Sequence, residues 1–170
     1  MYAPLGFVDR GGLVRMERPA GPGLGPAPDL RHPSAAELEL LGLWDLTVFG
    51  ADRTPLLRWA LDRAPEYAWV AVGPRGPRGY VFGRHGHRTE HVGPLVAEDE
   101  ETAATLLAAV LAANPSSPFT LDAPDHASWL DRLRDLGFEA QRPFRRMILG
   151  DRARPGDVSA TYAVFGPELG

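Results

Sequence analysis

Leu136, Gly137 and Phe138, followed by Arg142, Phe144, Arg146 and Met147, form the stretch on which the fold of this chain turns. Leu5, Gly6 and Phe7, followed by Leu13, Arg15 and Met16, repeat it at one constant offset. Both copies read Leu-Gly-Phe, a spacer, then apolar-x-Arg-Met. Two copies a domain length apart mark a duplicated unit. The second closes a long patterned stretch, whereas Met1 to Pro4 alone precede the first. Residues 1–18 are therefore expected to be the remnant of the terminal hairpin of a preceding domain. Such a hairpin leaves strand edges open, so residues 5–16 should pair with another part of the chain or with a second subunit, as in a homodimer.

Outward from the first copy, residues 19–30 read as a Pro/Gly-rich linker, with Gly21, Gly23 and Gly25 among prolines. No strand precedes that G-x-G-x-G spacing and no helix opens on it, and prolines have no N–H to offer a phosphate, so it is not a dinucleotide site. Residues 31–150 carry the main domain. Ser34 with Glu37 forms a capping-box pattern before a leucine stripe that runs to about Trp44. Thr54 and Pro55 open a second helix, stopped by Pro65. Strands are expected over 67–72, 78–84 and 91–97, then a helix over 99–113 with Leu106, Leu107, Val110 and Leu111 inward. A short strand at 119–121, a helix over 124–136 with Gly137 as its left-handed stop, and a strand over 138–149 complete the domain. Residues 151–170 form an extension whose strand, about 158–165, pairs with one of the others.

Composition bounds the function. The 170 residues have a formal net charge of −4, which speaks against general nucleic-acid affinity. Cysteine is absent and every one of the 18 basic residues is arginine, so thiol and lysine nucleophiles are excluded. No apolar run reaches membrane-spanning length and no export signal opens the sequence, which makes cytoplasmic the default expectation. There is no G-x-S-x-G and no P-loop, so hydrolase and NTPase chemistries lack a foothold.

The order of two helices, a three-stranded meander, helix, strand, helix and a closing strand entered through Leu136, Gly137 and Phe138 resembles the GNAT superfamily of N-acyltransferases. Asp45 with Val48 to Arg53, Gly93 to Leu95, and Arg142 to Met147 resemble the C-terminal lobe of tandem GNAT acetyltransferases. The resemblance implies an α/β fold: a mixed, mostly antiparallel sheet flanked by helices, with a splayed cleft between the strands at 91–97 and 119–121. It also implies acetyl-CoA as co-substrate, its pantetheine along Leu95, Val96 and Ala97 and its pyrophosphate at the helix start near Thr102 and Ala103. The chain departs from the superfamily pattern in two places. The phosphate loop reads Ala97, Glu98, Asp99, Glu100, Glu101, with neither glycine nor arginine, and the position of the superfamily's helix tyrosine holds Leu133.

Glu90 and His91, at the start of the cleft strand, are the candidates to take a proton from an incoming amine; the plainer alternative is an exposed pair at a strand end. Asp45, Asp52 and Arg53 surround the loop that walls the acceptor site in the superfamily, and either bind a cationic amine or cap and pair locally. His85, His87 and His91 lack the further ligands that would complete a metal site, and none is expected. Arg142, Arg145 and Arg146 either meet a phosphate or form a solvated strand face. The function expected is acetyl-CoA-dependent transfer of acetyl to an amine of a small molecule or peptide. The alternative is a non-catalytic GNAT-like lobe that binds a ligand or serves assembly.

Overall fold

The computed structural model describes residues 3–22, 29–150 and 156–167. Most of the glycine- and proline-rich linker, residues 23–28, and the start of the extension, residues 151–155, lie outside that range. The elements are β1 (Phe7–Arg18), β2 (Leu30–Arg31), α1 (Ala35–Phe49), α2 (Thr54–Arg63), β3 (Trp69–Gly73), β4 (Gly76–Arg84), β5 (Glu90–Ala97), α3 (Glu100–Ala113), β6 (Phe119–Pro124), α4 (Ala127–Asp135), β7 (Glu139–Leu149) and β8 (Thr161–Ala163). One sheet runs β2-β3-β4-β5-β6-β1-β7, with β8 on β5. Among the described residues only β5 and β6 are parallel, because the α3 crossover joins them. Among the described residues no helix is long and apolar enough to cross a membrane.

Alternation along the strands makes two cores. Val81, Val92, Leu121 and Met16 face α3 and α4, where Leu106, Leu107, Trp129 and Leu133 meet them. Tyr80, Phe82 and Val70 face the other way, onto Leu38 and Leu41 of α1 and Leu57 of α2. The sheet is thus covered on both faces, as an α/β layered fold requires.

Residues 7–18 belong to this same sheet. They form a single 12-residue strand, not a hairpin in themselves, antiparallel to both β6 and β7. The partner that residues 5–16 were expected to need is found within the chain. Arg15 fastens β1 to β6 through Nε and Nη2 bonds of 2.9 and 3.0 Å to the fully buried carboxylate of Asp122.

Several boundaries differ from expectation: β3 begins at Trp69 rather than 67, and β6 runs on to Pro124, so α4 begins at Ala127 rather than 124. α1 continues past Trp44 to Phe49 and stops at Gly50, which takes φ 87 and donates its N–H to the Leu46 carbonyl. Gly50, read as loop, is the left-handed stop of the helix. The terminal strand is shorter than 158–165, because Val158–Ala160 makes a 3-10 turn on Asp157, whose carboxylate accepts from Ser159 N–H at 3.0 Å.

The start of α1 is held from two sides. Glu37 accepts the N–H of Ser34 at 3.0 Å while the Ser34 hydroxyl accepts the N–H of Glu37, and Arg31 of β2 adds a bidentate pair. Its carboxyl is lowered from 4.5 to about 2, chiefly by the Arg31 hydrogen bond and then by Ser34. A folded-state value below the unfolded one gives stability that is complete above the unfolded value and lost as pH falls through the folded one. Melting temperature should therefore drop between pH 4.5 and about 2 in thermal scans. Glu37→Gln should be less stable at neutral pH and show less of this acid-limb dependence.

Deeper in α1, the fully buried Asp45 accepts Arg53 Nε at 2.9 Å and Nη2 at 2.6 Å, and the Tyr80 hydroxyl as well. The Arg53 guanidinium lies 3.8 Å from the Phe49 ring centroid. Burial first, and the Asp45 carboxylate second, push the Tyr80 phenol well above its usual range. This triad ties α1, the inter-helix loop and β4 together. Breaking such a pair from one side typically costs about 3–5 kcal/mol. Asp45→Ala should show a loss of that order in urea unfolding, whereas Asp52→Ala, at an exposed turn, should show a much smaller one.

Candidate functional site

The place to look is where β5 and β6 separate. They pair for three positions only, Glu90 with Phe119, His91 with Thr120 and Val92 with Leu121. The β4 pairing then slips between Val92 and Leu95, and Gly93 takes φ 149. Beyond that point the inner edges of the two strands diverge into a wedge.

The wedge is filled by the chain itself. β8 lies antiparallel to β5, with Leu95 opposite Ala163 and Val96 opposite Thr161. On the other side the N–H of Val164 donates to the Asp122 carbonyl of β6 at 3.0 Å. Trp129 of α4 donates its indole N–H to the Tyr162 carbonyl at 2.8 Å, and its ring meets that of Tyr162 edge-on. Ala163, Val164 and Phe165 are all buried. The approach is so close that a Cβ on Gly93 would sit 2.0 Å from the Val164 carbonyl oxygen, which explains glycine there.

The start of α3 is equally occupied. Asp99 caps it, accepting Thr102 N–H at 2.8 Å, and Glu98, Glu100 and Glu101 surround it. Hydrogen bonds from Thr102 hold the Asp99 carboxyl below its usual range, so it is charged, and Arg78 spans Glu98 and Asp99 at 3.3 and 2.8 Å. A phosphate 4 Å from one of these carboxylates costs up to about 4 kcal/mol at a surface dielectric. The helix dipole returns only about 0.3–1 kcal/mol.

The positions implied for acetyl-CoA therefore do not fit it in this conformation. Leu95 and Val96 give their backbone edge to β8, Thr102 gives its N–H to Asp99, and Ala97 and Ala103 are fully buried in the core. Leu133 is buried in the same core. A tyrosine does reach the cleft, but it is Tyr162 of β8.

Glu90 and His91 do not act together, because successive strand residues project to opposite faces. Glu90 accepts or shares a proton with His85 Nδ1 at 2.9 Å, and the other nitrogen of that ring meets Glu66 at 3.0 Å. His91 is buried on the opposite face, lining a shallow polar recess of about 280 Å³ with Arg15, Arg84, His87 and Thr120. The acceptor-binding trio is also dispersed. Asp45 and Arg53 close on each other, and Asp52 accepts the N–H of Thr54 at 2.9 Å to start α2. Arg142 stacks on Phe144, its Cζ 4.6 Å from the ring centroid, and Arg145 approaches Asp9 at 3.5 Å. The apolar run Thr161 to Phe165 signalled a strand. Nothing local in it signalled which two strands it would bridge.

Similarity to known proteins agrees with the wedge. Residues 43–163, from the middle of α1 to the last residue of β8, match the model of the acetyltransferase (GNAT) domain. No curated protein matches the sequence. In three dimensions the chain resembles a candidate acetyltransferase from Pyrococcus horikoshii, with TM-score 0.75 and 19% identity over 99% of this chain and 55% of that one. It also resembles a candidate GNAT-family acetyltransferase from Novosphingobium aromaticivorans, with TM-score 0.66 and 17% identity over 87% of this chain and 69% of that one. A GCN5-related N-acetyltransferase from Sphaerobacter thermophilus gives TM-score 0.64 and 17% identity over 94% and 57%. The chain thus spans little more than half of the first and third. At these identities the neighbours establish the fold. With the family model covering most of its length, the chain belongs to the GNAT acetyltransferase domain family, whose chemistry is acyl transfer and whose general co-substrate is acetyl-CoA.

Proposed function

We propose that this chain is a cytoplasmic lobe, resembling the C-terminal lobe of a tandem protein, of an acetyl-CoA-dependent N-acetyltransferase that acts on an amine of a small molecule or peptide. The lobe itself serves ligand binding or assembly with its own cofactor cleft closed. The observation that carries this reading is β8, which uses the backbone edge of Leu95 and Val96 that a pantetheine would need. The four consecutive carboxylates from Glu98 to Glu101 support it independently.

A second reading, in which this lobe transfers acetyl groups itself, is favoured by the extent of the family match, which takes in the cleft and its closing strand alike. It requires β8 to leave β5. Calorimetric titration with acetyl-CoA separates the two. The closed-lobe reading expects no binding at millimolar ligand, both for the chain as it stands and for Gly93→Ala, whose added Cβ must displace Val164. Faster hydrogen exchange at Tyr162 to Phe165 would verify that displacement. Micromolar binding by the unaltered chain would overturn the closed-lobe reading, and binding by Gly93→Ala alone would favour the second.

A further inference from the structure

The two Leu-Gly-Phe copies are neighbours in the sheet, and their pairing is largely symmetric. The offset that carries Leu5 to Leu136 carries β1 onto β7; applied in reverse it carries β7 onto β1. Under that exchange Val8–Ile148 becomes Glu17–Glu139, Asp9–Met147 becomes Met16–Ala140, and Gly12–Arg145 becomes Val14–Pro143. Leu13–Phe144 maps onto itself, and every one of these pairs is made; only Phe7–Leu149 and Arg15–Arg142 lack their mates in the register. A local two-fold axis therefore passes between Leu13 and Phe144. The flanks obey it as well. Gly6 and Gly137 have φ 83 and 87, and their N–H groups donate to the equivalent carbonyls of Ala3 and Arg134 at 3.0 and 2.9 Å. The turn at Ala3–Leu5 is thus the counterpart of the end of α4.

The symmetry fails at the outer edges. β1 lies between β7 and β6, whereas β7 has β1 on one side and no strand on the other among the described residues. The side chains register the same deficit. Met16 is fully buried and Phe138 is 1% exposed, while their counterparts Met147 and Phe7 are half-buried. Leu136 packs on the core, and its counterpart Leu5 is 67% exposed. Arg15 meets Asp122 on the face of the sheet where its counterpart Arg146 approaches Phe49.

We propose that the outer edge of β7 seats a second lobe of this same fold, whose strand equivalent to β6 pairs antiparallel with β7 in the register that sets Asp122 opposite Arg15. Leu5, Phe7 and Met147 then enter that lobe's core, as Leu136, Phe138 and Met16 enter this one. A second copy of this chain is the poorer occupant, because its own β6 is already flanked by β5 and β1. The proposal rests on the reading of this chain as one lobe of a tandem protein and names the edge at which the lobes join; it stands whether or not the cleft takes acetyl-CoA.

The probe is a peptide of residues 117–126, acetylated and amidated, offered to the full chain, which contains no cysteine. In a thiol–disulfide buffer, the Arg146→Cys chain should trap the Asp122→Cys peptide roughly tenfold faster than the Leu121→Cys peptide, whose thiol projects from the opposite face. Equal rates would overturn the proposal. Should Arg146→Cys fail to fold, the unaltered chain and peptide decide by amide chemical shifts. Changes gathered at residues 142–149 support the seat; changes elsewhere, or none at millimolar peptide, refute it.

Discussion

Two parallel strands that pair for three residues and then part leave two rows of N–H and C=O groups facing each other across an opening wedge. Buried groups of that kind need partners, since leaving one unmet costs about 1–3 kcal/mol. The rest of this domain is arranged around how that demand is met. β8 supplies the partners from the same chain. Its entry fixes Gly93, where no side chain fits beneath the Val164 carbonyl. It orients Trp129, whose indole holds the Tyr162 carbonyl. Because Ala163 packs with α3 and α4 while Phe165 packs with α1 and α2, the strand also joins the two cores across the sheet.

Family membership and site chemistry point in different directions here, and the physics of each is clear. The fold follows from layer packing and crossover rules, which tolerate any residue at a helix start. Cofactor binding follows from charge and free backbone at that start. In this chain the first turn of α3 carries Glu100 and Glu101 behind a capping Asp99, with Arg78 and Arg132 as counter-charges. The fold accommodates an acid-capped start to α3.

The placement of β1 has a similar logic. A strand near the start of the chain, set between β6 and β7, makes the closure of the sheet depend on contacts between distant residues, such as Arg15 with Asp122. Such contacts are costly in loop entropy and favour slow, late closure. The repeat supplies the reason for the geometry: two strands of like sequence, run antiparallel, can satisfy one another about a two-fold axis.

Several features of this protein were legible in its sequence. The capping box at Ser34 and Glu37, Pro55 at the start of α2, the apolar stripe of α3 and Gly137 after α4 all act within a turn or two, so local spacing locates the helices. The Leu-Gly-Phe repeat, read by its order relative to those helices, indicated the family. Other features depended on partners far along the chain. Glu90 and His91, each a candidate base in the sequence, project to opposite faces, and of the two readings of Asp45 with Arg53, amine contact or local pairing, the structure shows the pairing, in a buried triad with Tyr80. The short strand at Thr161–Ala163 carried an apolar pattern and no address. Periodicity records which face of an element is buried; which other element buries it is decided only when the whole chain's backbone groups are paired at once, and that placed β8 in the cleft.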